Sequence, residues 1–327
     1  MTSAFELGAE WRFFNARVGF DFTYYYTDTK NQLITIATPA ASLFSSQYIN
    51  AGLINNNGVE VSLDLVPVDS RDFVWDATFN FSKNNNKIIR LTDEVTSAVL
   101  TDDRQVLVLA EVGGSYGDMY AVGWQRDDLG RPLVNDAGSP MLTGGKTVYV
   151  GNYNPNYNLG FNNRLTYKGL LLSFLIDYRN GGTVIAGTQA LLDADGHSKA
   201  SLWGREDGIV LDAYTVGGEK NTNSIASQSY FGSIGERYPA GEFYAYSGSN
   251  LRLRELVLGY NFSNDWVRRS GFIESARVSL IGRNLMFFSK EAPFDPELVS
   301  GTGNAGGIEY NSLPTTRSMG VNLKLTF

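Results

Sequence analysis

The feature that most restricts this chain is strict alternation, in which apolar side chains take every second position over stretches of about ten residues. Phe5, Leu7, Ala9, Trp11 and Phe13 alternate with Glu6, Gly8, Glu10 and Arg12. After Asn15-Ala16, the residues Val18, Phe20, Phe22, Tyr24 and Tyr26 alternate with Arg17, Gly19, Asp21, Thr23 and Tyr25. Period two is the signature of a β-strand, whose successive side chains point to opposite faces. A strand apolar on one side and polar on the other fits a soluble sandwich, or a barrel whose outer face meets lipid. Length separates the two: a tilted membrane strand needs ~9 to 11 residues, whereas strands of soluble domains average ~5 or 6.

The pattern recurs in pairs. Val59, Val61, Leu63 and Leu65 alternate with Glu60, Ser62 and Asp64, and the turn from Pro67 to Arg71 leads to Phe73, Trp75, Ala77, Phe79 and Phe81. Tyr157, Leu159, Phe161, Leu165 and Tyr167 are joined by Lys168-Gly169 to Leu170, Leu172, Phe174, Ile176 and Tyr178. Leu256, Leu258, Tyr260 and Phe262 precede a turn of about a dozen residues, with one helical turn expected near Trp266 to Arg269, and then Ala276, Val278 and Leu280. Leu251 and Leu253 are out of phase with Leu256, which predicts a bulge near Arg254 or Glu255. The final stretch carries Met319, Val321, Leu323, Leu325 and Phe327 on one face and Gly320, Asn322, Lys324 and Thr326 on the other. Chain ends of soluble domains usually fray; this one stays fully patterned to its last aromatic residue. It is similar to the closing strand of bacterial outer-membrane barrels, so these five apolar residues are expected to form the outer-membrane assembly signal.

The connections differ systematically. Residues 30 to 52, 83 to 155, 180 to 249 and 287 to 314 read as long loops, the second with room for a small hairpin, while the intervening turns are short. From Thr92 to Asp136 the second loop has nine acidic side chains against three basic ones. Short turns on one rim and long loops on the other are the pattern of outer-membrane barrels. The fold expected is therefore all-β, a partial antiparallel transmembrane β-barrel with short periplasmic turns and long extracellular loops. Nine strands are counted. With an odd number, the first and last run in the same direction and cannot close an antiparallel barrel on each other, so further strands are expected upstream.

Composition removes other classes. There is no cysteine, which excludes disulfides and thiolate chemistry, and the single histidine, His197, leaves no histidine cluster for a metal. The net charge of −7 argues against nucleic acid as a partner. No run of 18 apolar residues exists, which excludes a membrane helix but not membrane strands. Met1-Thr2-Ser3 leads straight into a strand without a basic and apolar export segment, so either a removed signal or a fragment of a longer chain is expected.

Several dispersed motifs occur in order: Asn50-Ala51-Gly52, Ile54-Asn55, Gly58-Val59-Glu60, Gly151-Asn152 with Pro155, Leu251-Arg252-Leu253-Arg254-Glu255-Leu256, Gly259-Tyr260, Gly282-Arg283-Asn284-Leu285 and Asp295-Pro296-Glu297. In this order they resemble the C-terminal third of the SusC/RagA family of TonB-dependent outer-membrane transporters, over essentially all of residues 1–327. The resemblance implies about nine C-terminal strands of a 22-stranded plugged barrel, with the plug domain, the energy-coupling box and the earlier strands absent from this segment. It further implies localisation in the outer membrane of a Gram-negative bacterium, import of oligosaccharides or peptides, a SusD-like surface lipoprotein as lid, and energy supplied through TonB. Other classes consistent with the strands are a soluble glycan-binding β-domain and a passive pore. An enzyme is not expected, because no acid, base and nucleophile converge, and no cofactor is implied. A free strand edge would make the isolated segment prone to aggregation.

Candidate chemistry is sparse. Gly301-Thr302-Gly303-Asn304-Ala305-Gly306 matches the dinucleotide fingerprint but lacks the flanking strand and helix, so it reads as a flexible loop. Asp193-Ala194-Asp195-Gly196 has Gly204 where a calcium loop needs its twelfth-position glutamate, so no metal is assigned. The candidate substrate-binding residues are Trp203, Tyr214, Tyr244 and Tyr246 in the longest loop and Arg252, Arg254 and Arg283 near the outer ends of their strands. The arginines could bind a ligand or pair with carboxylates of the wall or plug; the aromatics could stack on sugars or pack within the loop or against a partner. Asp295-Pro296-Glu297 is expected to set the turn of the last loop. Tyr24, Tyr26, Trp75, Tyr178 and Tyr260 read as interfacial anchors.

Overall fold

A computed structural model describes residues 1–37, 46–93, 95–262, 272–301 and 303–327. Among these, nine long strands form one antiparallel sheet in sequential order. They are β1 (Thr2–Phe13), β2 (Val18–Ala37), β3 (Ser46–Asp69), β4 (Phe73–Arg90), β5 (Tyr157–Tyr167), β6 (Leu170–Asn180), β7 (Asn250–Phe262), β8 (Ser275–Lys290) and β9 (Ser318–Thr326). Every strand expected from alternation is present. The sheet is open, with β1 at one edge and β9 at the other, as expected of a partial barrel.

One face of the sheet is apolar and bare. Leu258 is 51% exposed, Leu280 59% and Val321 72%, and these three lie side by side or one step apart in the ladder, with Leu258 opposite Leu280 and Leu280 opposite Val321. Phe79 stacks on Phe161 at 4.2 Å on the same face. In water such a continuous apolar surface would be a liability; against lipid it is the stable arrangement. The other face carries the polar partners of each alternation, such as Asp21, Ser62 and Asn80 in one cross-strand row. No helix is long and apolar enough to cross a membrane among the described residues.

The structure corrects the loop boundaries. Residues 30 to 52 are not one long loop, because β2 continues to Ala37 and β3 begins at Ser46. Likewise β4 runs on to Arg90 and β8 to Lys290. Alternation of hydrophobicity stops where the strands leave lipid, but the backbone ladder does not need apolar side chains to continue. Here asparagines extend it: Asn84 and Asn86 both donate from Nδ2 to Asn56 Oδ1, at 3.2 and 2.8 Å.

The second connection holds a four-stranded sheet rather than a single hairpin, made of Ser97–Asp102, Leu107–Glu111, Asp118–Ala121 and Val148–Asn152. The third holds two short helices, α1 (Gly187–Ala194) and α2 (Ser227–Ile234). The last contributes Ile308–Glu309, which pairs in parallel with Thr183–Ala186 of the third. These connections share hydrophobic cores: Ala190, Ile209, Phe231 and Tyr244 with Val134 in one, and Val106, Val108, Met119, Ile185 and Ile308 in another. The described connections above the sheet therefore form one packed body.

The predicted bulge is at Arg254, which is skipped in the registers with both β6 and β8. The helical turn expected near Trp266 to Arg269 lies outside the described residues, as does Thr302. Asp193 lies in the last turn of α1 and accepts a 2.7 Å hydrogen bond from Gln189 Nε2.

Candidate functional site

The polar face of the sheet carries two contiguous hollows, and the loop body above it borders the upper one. The lower, about 490 Å³, is floored by Asp21, Thr23, Glu60, Ser62, Asn80 and Asp177. The upper, about 720 Å³, is bordered by Tyr25, Asn56, Asn84 and Asn86 of the wall and by Ser115, Tyr116 and Asn154 of the loop body. Glu60, Ser82 and Asn158 line both.

Local sequence builds this wall. Tyr25 pairs with Gly58, and a Cβ on Gly58 would lie 2.4 Å from the Tyr25 hydroxyl oxygen and from the Lys83 carbonyl. Only glycine lets the Tyr25 ring lie across the strand, where its hydroxyl donates to Asn84 Oδ1 at 3.1 Å. The roof is tied to the wall through Asn86: its Oδ1 accepts from Tyr116 N at 2.7 Å, and its backbone carbonyl accepts from Ser115 Oγ at 2.9 Å. Asn152 and Asn154 donate to the Tyr116 carbonyl at 3.2 and 2.8 Å. Burial raises the phenol pKa of Tyr116 and pushes that of Tyr153 to about 12, so both stay neutral at physiological pH.

A second cluster ties the wall to the last loop. Arg252, only 3% exposed, has Nη1 3.2 Å from Asp295 Oδ2 and Nη2 2.5 Å from Glu297 Oε1. Its Nε donates to Asn250 Oδ1 at 3.0 Å, and its guanidinium lies 4.9 Å from the centre of the Phe287 ring. Arg254, projected by the bulge, donates from Nε to Asp177 Oδ2 at 2.7 Å and from Nη2 to both Glu297 carboxylate oxygens at 2.8 and 3.0 Å. Two arginines on β7 thus hold one carboxylate from β6 and two from the last loop. The Asp295-Pro296-Glu297 turn is further bound by Glu297 N donating to Asp295 Oδ1 at 3.0 Å.

The seven residues singled out from the sequence fall into separate environments. Arg252 and Arg254 belong to this cluster, while Arg283 is exposed and bonds Glu255 Oε2 at 2.8 Å. Trp203 is 53% exposed and packs edge-on against Tyr230 at 5.5 Å. Tyr214 carries the Arg131 guanidinium 4.1 Å above its ring. Tyr246 meets Phe294 at right angles, 6.3 Å between ring centres. Tyr244 is buried in the loop core, where desolvation and then the neighbouring Asp193 carboxylate raise its pKa. The asparagines of the upper hollow were not singled out. Their signal is the runs Asn55-Asn56-Asn57 and Asn84-Asn85-Asn86 directly beyond alternating stretches.

Comparison with known proteins places this geometry. TonB-dependent receptor P3 of Formosa agariphila is 27% identical over 98% of this chain, which covers 33% of that receptor. TonB-dependent receptor SusC of Bacteroides thetaiotaomicron is 23% identical over 100% of the chain and 32% of its own length. The chain thus spans about a third of the length of the curated relatives it matches. In fold it is similar to the structure of the RagAB peptide transporter, with a TM-score of 0.71 at 22% identity, covering 100% of this chain and 35% of that one. The bare apolar face is accordingly the lipid face, the polar hollows face the lumen, and the long loops are extracellular. The family model described as "TonB dependent receptor-like, beta-barrel" matches residues 2–169, and the chain belongs to that family of outer-membrane β-barrels.

Proposed function

We propose that this chain supplies the C-terminal wall and the extracellular roof of an outer-membrane active importer of oligosaccharides or peptides. In this reading its energy comes through TonB, and a SusD-like surface lipoprotein covers the loop body. The observation that carries it is the pairing of a polar, hollow luminal wall with a packed roof tied to that wall at Asn86 and at Arg252 and Arg254. A passive pore needs an open lumen, whereas an importer needs a chamber that holds its cargo before release. The exposed Trp203 and the luminal Arg283 are the aromatic and cationic contacts this reading assigns to lid and cargo; the chain itself performs no covalent chemistry.

The test is uptake of fluorescent oligosaccharides and peptides by cells that express the protein, with and without TonB. Accumulation that depends on both is expected. Uptake that persists unchanged after TonB removal would refute the active-transport reading.

A further inference from the structure

On the lipid face of β7, β8 and β9 the apolar rows are interrupted at one place. Leu256 is opposite Gly282, and Gly282 is opposite Met319, so the middle of this cross-strand row has no side chain. The row below it is complete, with Leu258 opposite Leu280 and Leu280 opposite Val321. Just above, Asn284 has a left-handed backbone (φ 51°) and is passed over, together with Leu285, in the ladder with β7. This bulge brings Leu285 back over the gap, where a Cβ on Gly282 would lie 2.8 Å from Leu285 Cδ2. The result is a groove of about 350 Å³ lined by the side chains of Leu256, Leu258, Leu280, Leu285, Met319 and Val321. Among the described residues no aromatic ring lines it, in contrast to β4 to β6, where Phe79, Phe161 and Phe174 pack ring against ring on the same face.

We infer that this groove seats one acyl chain of a glycolipid from the outer leaflet. Depth gives the leaflet. At ~3.4 Å per residue and a strand tilt of about 40°, the Leu258 row stands roughly 10 Å and the Leu256 row roughly 16 Å above the last β7–β8 pair, Phe262 with Ala276. An apolar band ~25 Å tall then has its midplane between the two rows, and the groove runs upward from there to Leu285. Width gives the occupant. Neighbouring strands are ~4.8 Å apart, so with Gly282 between them Leu256 and Met319 stand two strand spacings apart. That is room for one hydrocarbon chain, and too narrow for a helix of ~10 Å diameter. Within a bilayer a lipid gains nothing from leaving water, so what retains it is close packing, which a groove supplies and a flat sheet does not. A further strand paired to the free edge of β9 extends the sheet sideways and leaves its outer face bare, and the lumen lies on the other side. The inference rests on the lipid face alone and not on which cargo is imported.

The experiment is native mass spectrometry of the full-length protein, extracted from its own outer membrane and exchanged through a delipidating detergent. One glycolipid of the lipid A type per protein is expected to survive the exchange. Gly282→Leu fills the gap from β8 and should lower that occupancy fivefold or more; Val321→Trp, which fills the groove from β9, should do the same. Ala276→Leu, on β8 below the groove, leaves it unchanged. Heat-modifiable migration on a gel confirms that each variant is folded. Retention of no lipid, retention of a phospholipid in its place, or undiminished glycolipid on folded Gly282→Leu and Val321→Trp would each overturn the seat. So would oxidative cross-linking of Leu280→Cys between two copies in the native membrane, which would put protein rather than lipid on this face.

Discussion

At the residue scale the decisive group is Arg252. A guanidinium this deeply buried is tolerated because two carboxylates, an amide oxygen and an aromatic face surround it. Burying charges costs several kcal/mol per ion, and removing one partner strands the others. Replacing Arg252 by Met therefore leaves Asp295 without its buried cation, while Glu297 keeps Arg254. A loss of about 3–5 kcal/mol follows from such a broken pair, read as a lower midpoint of thermal unfolding in detergent and faster protease cleavage of residues 291–317. The same substitution at Arg283, whose pair is exposed, should cost well under that, ~0–1 kcal/mol. Equal losses at the two positions would contradict the burial argument. The sequence displayed the arginines and the Asp-Pro-Glu turn as motifs; which arginine met which carboxylate depended on chain segments 28 to 77 residues apart.

At the element scale the loop body depends on contacts between loops. Helix α1 has no side-chain cap from its own N-cap residue, Ala186. The last loop supplies one instead: buried Glu309 accepts from Thr188 Oγ1 at 2.6 Å and from Thr188 N at 3.2 Å. A carboxylate at a helix N-terminus satisfies orphan amides and complements the helix dipole. Removing it with Glu309→Ala should cost ~1–2 kcal/mol locally. Hydrogen exchange of amides 187–194 should then accelerate while the β5 and β6 amides do not change. Uniform protection in the variant would show that the helix does not rely on the last loop. None of this was legible beforehand, because an eight-residue helix with small residues has weak periodicity and its cap lies over a hundred residues away.

At the scale of the whole molecule, stability is divided between two solvents. Loop cores are closed by water in the ordinary way, whereas the sheet hides no apolar face behind a second layer and relies on lipid for that. Leu258 sits between Leu172 and Leu280 on that face. Leu258→Arg should destabilise the membrane-inserted protein by ~2–4 kcal/mol if the position is near the bilayer midplane, less toward an interface. Denaturant unfolding from lipid vesicles measures this, and no change would mean the face does not meet lipid. The amino-acid sequence by itself determined the nine strands, their pairing order, the outward face and the bulge at Arg254, because period-two patterning and short turns are local information. It also marked where lipid contact stops, which was mistaken for where strands stop. Only the tertiary structure decided how far β2, β3, β4 and β8 extend, how the loops share one core, and which arginine meets which carboxylate. Those depend on backbone ladders indifferent to side-chain polarity and on contacts between residues far apart in the chain, neither of which leaves a periodic trace.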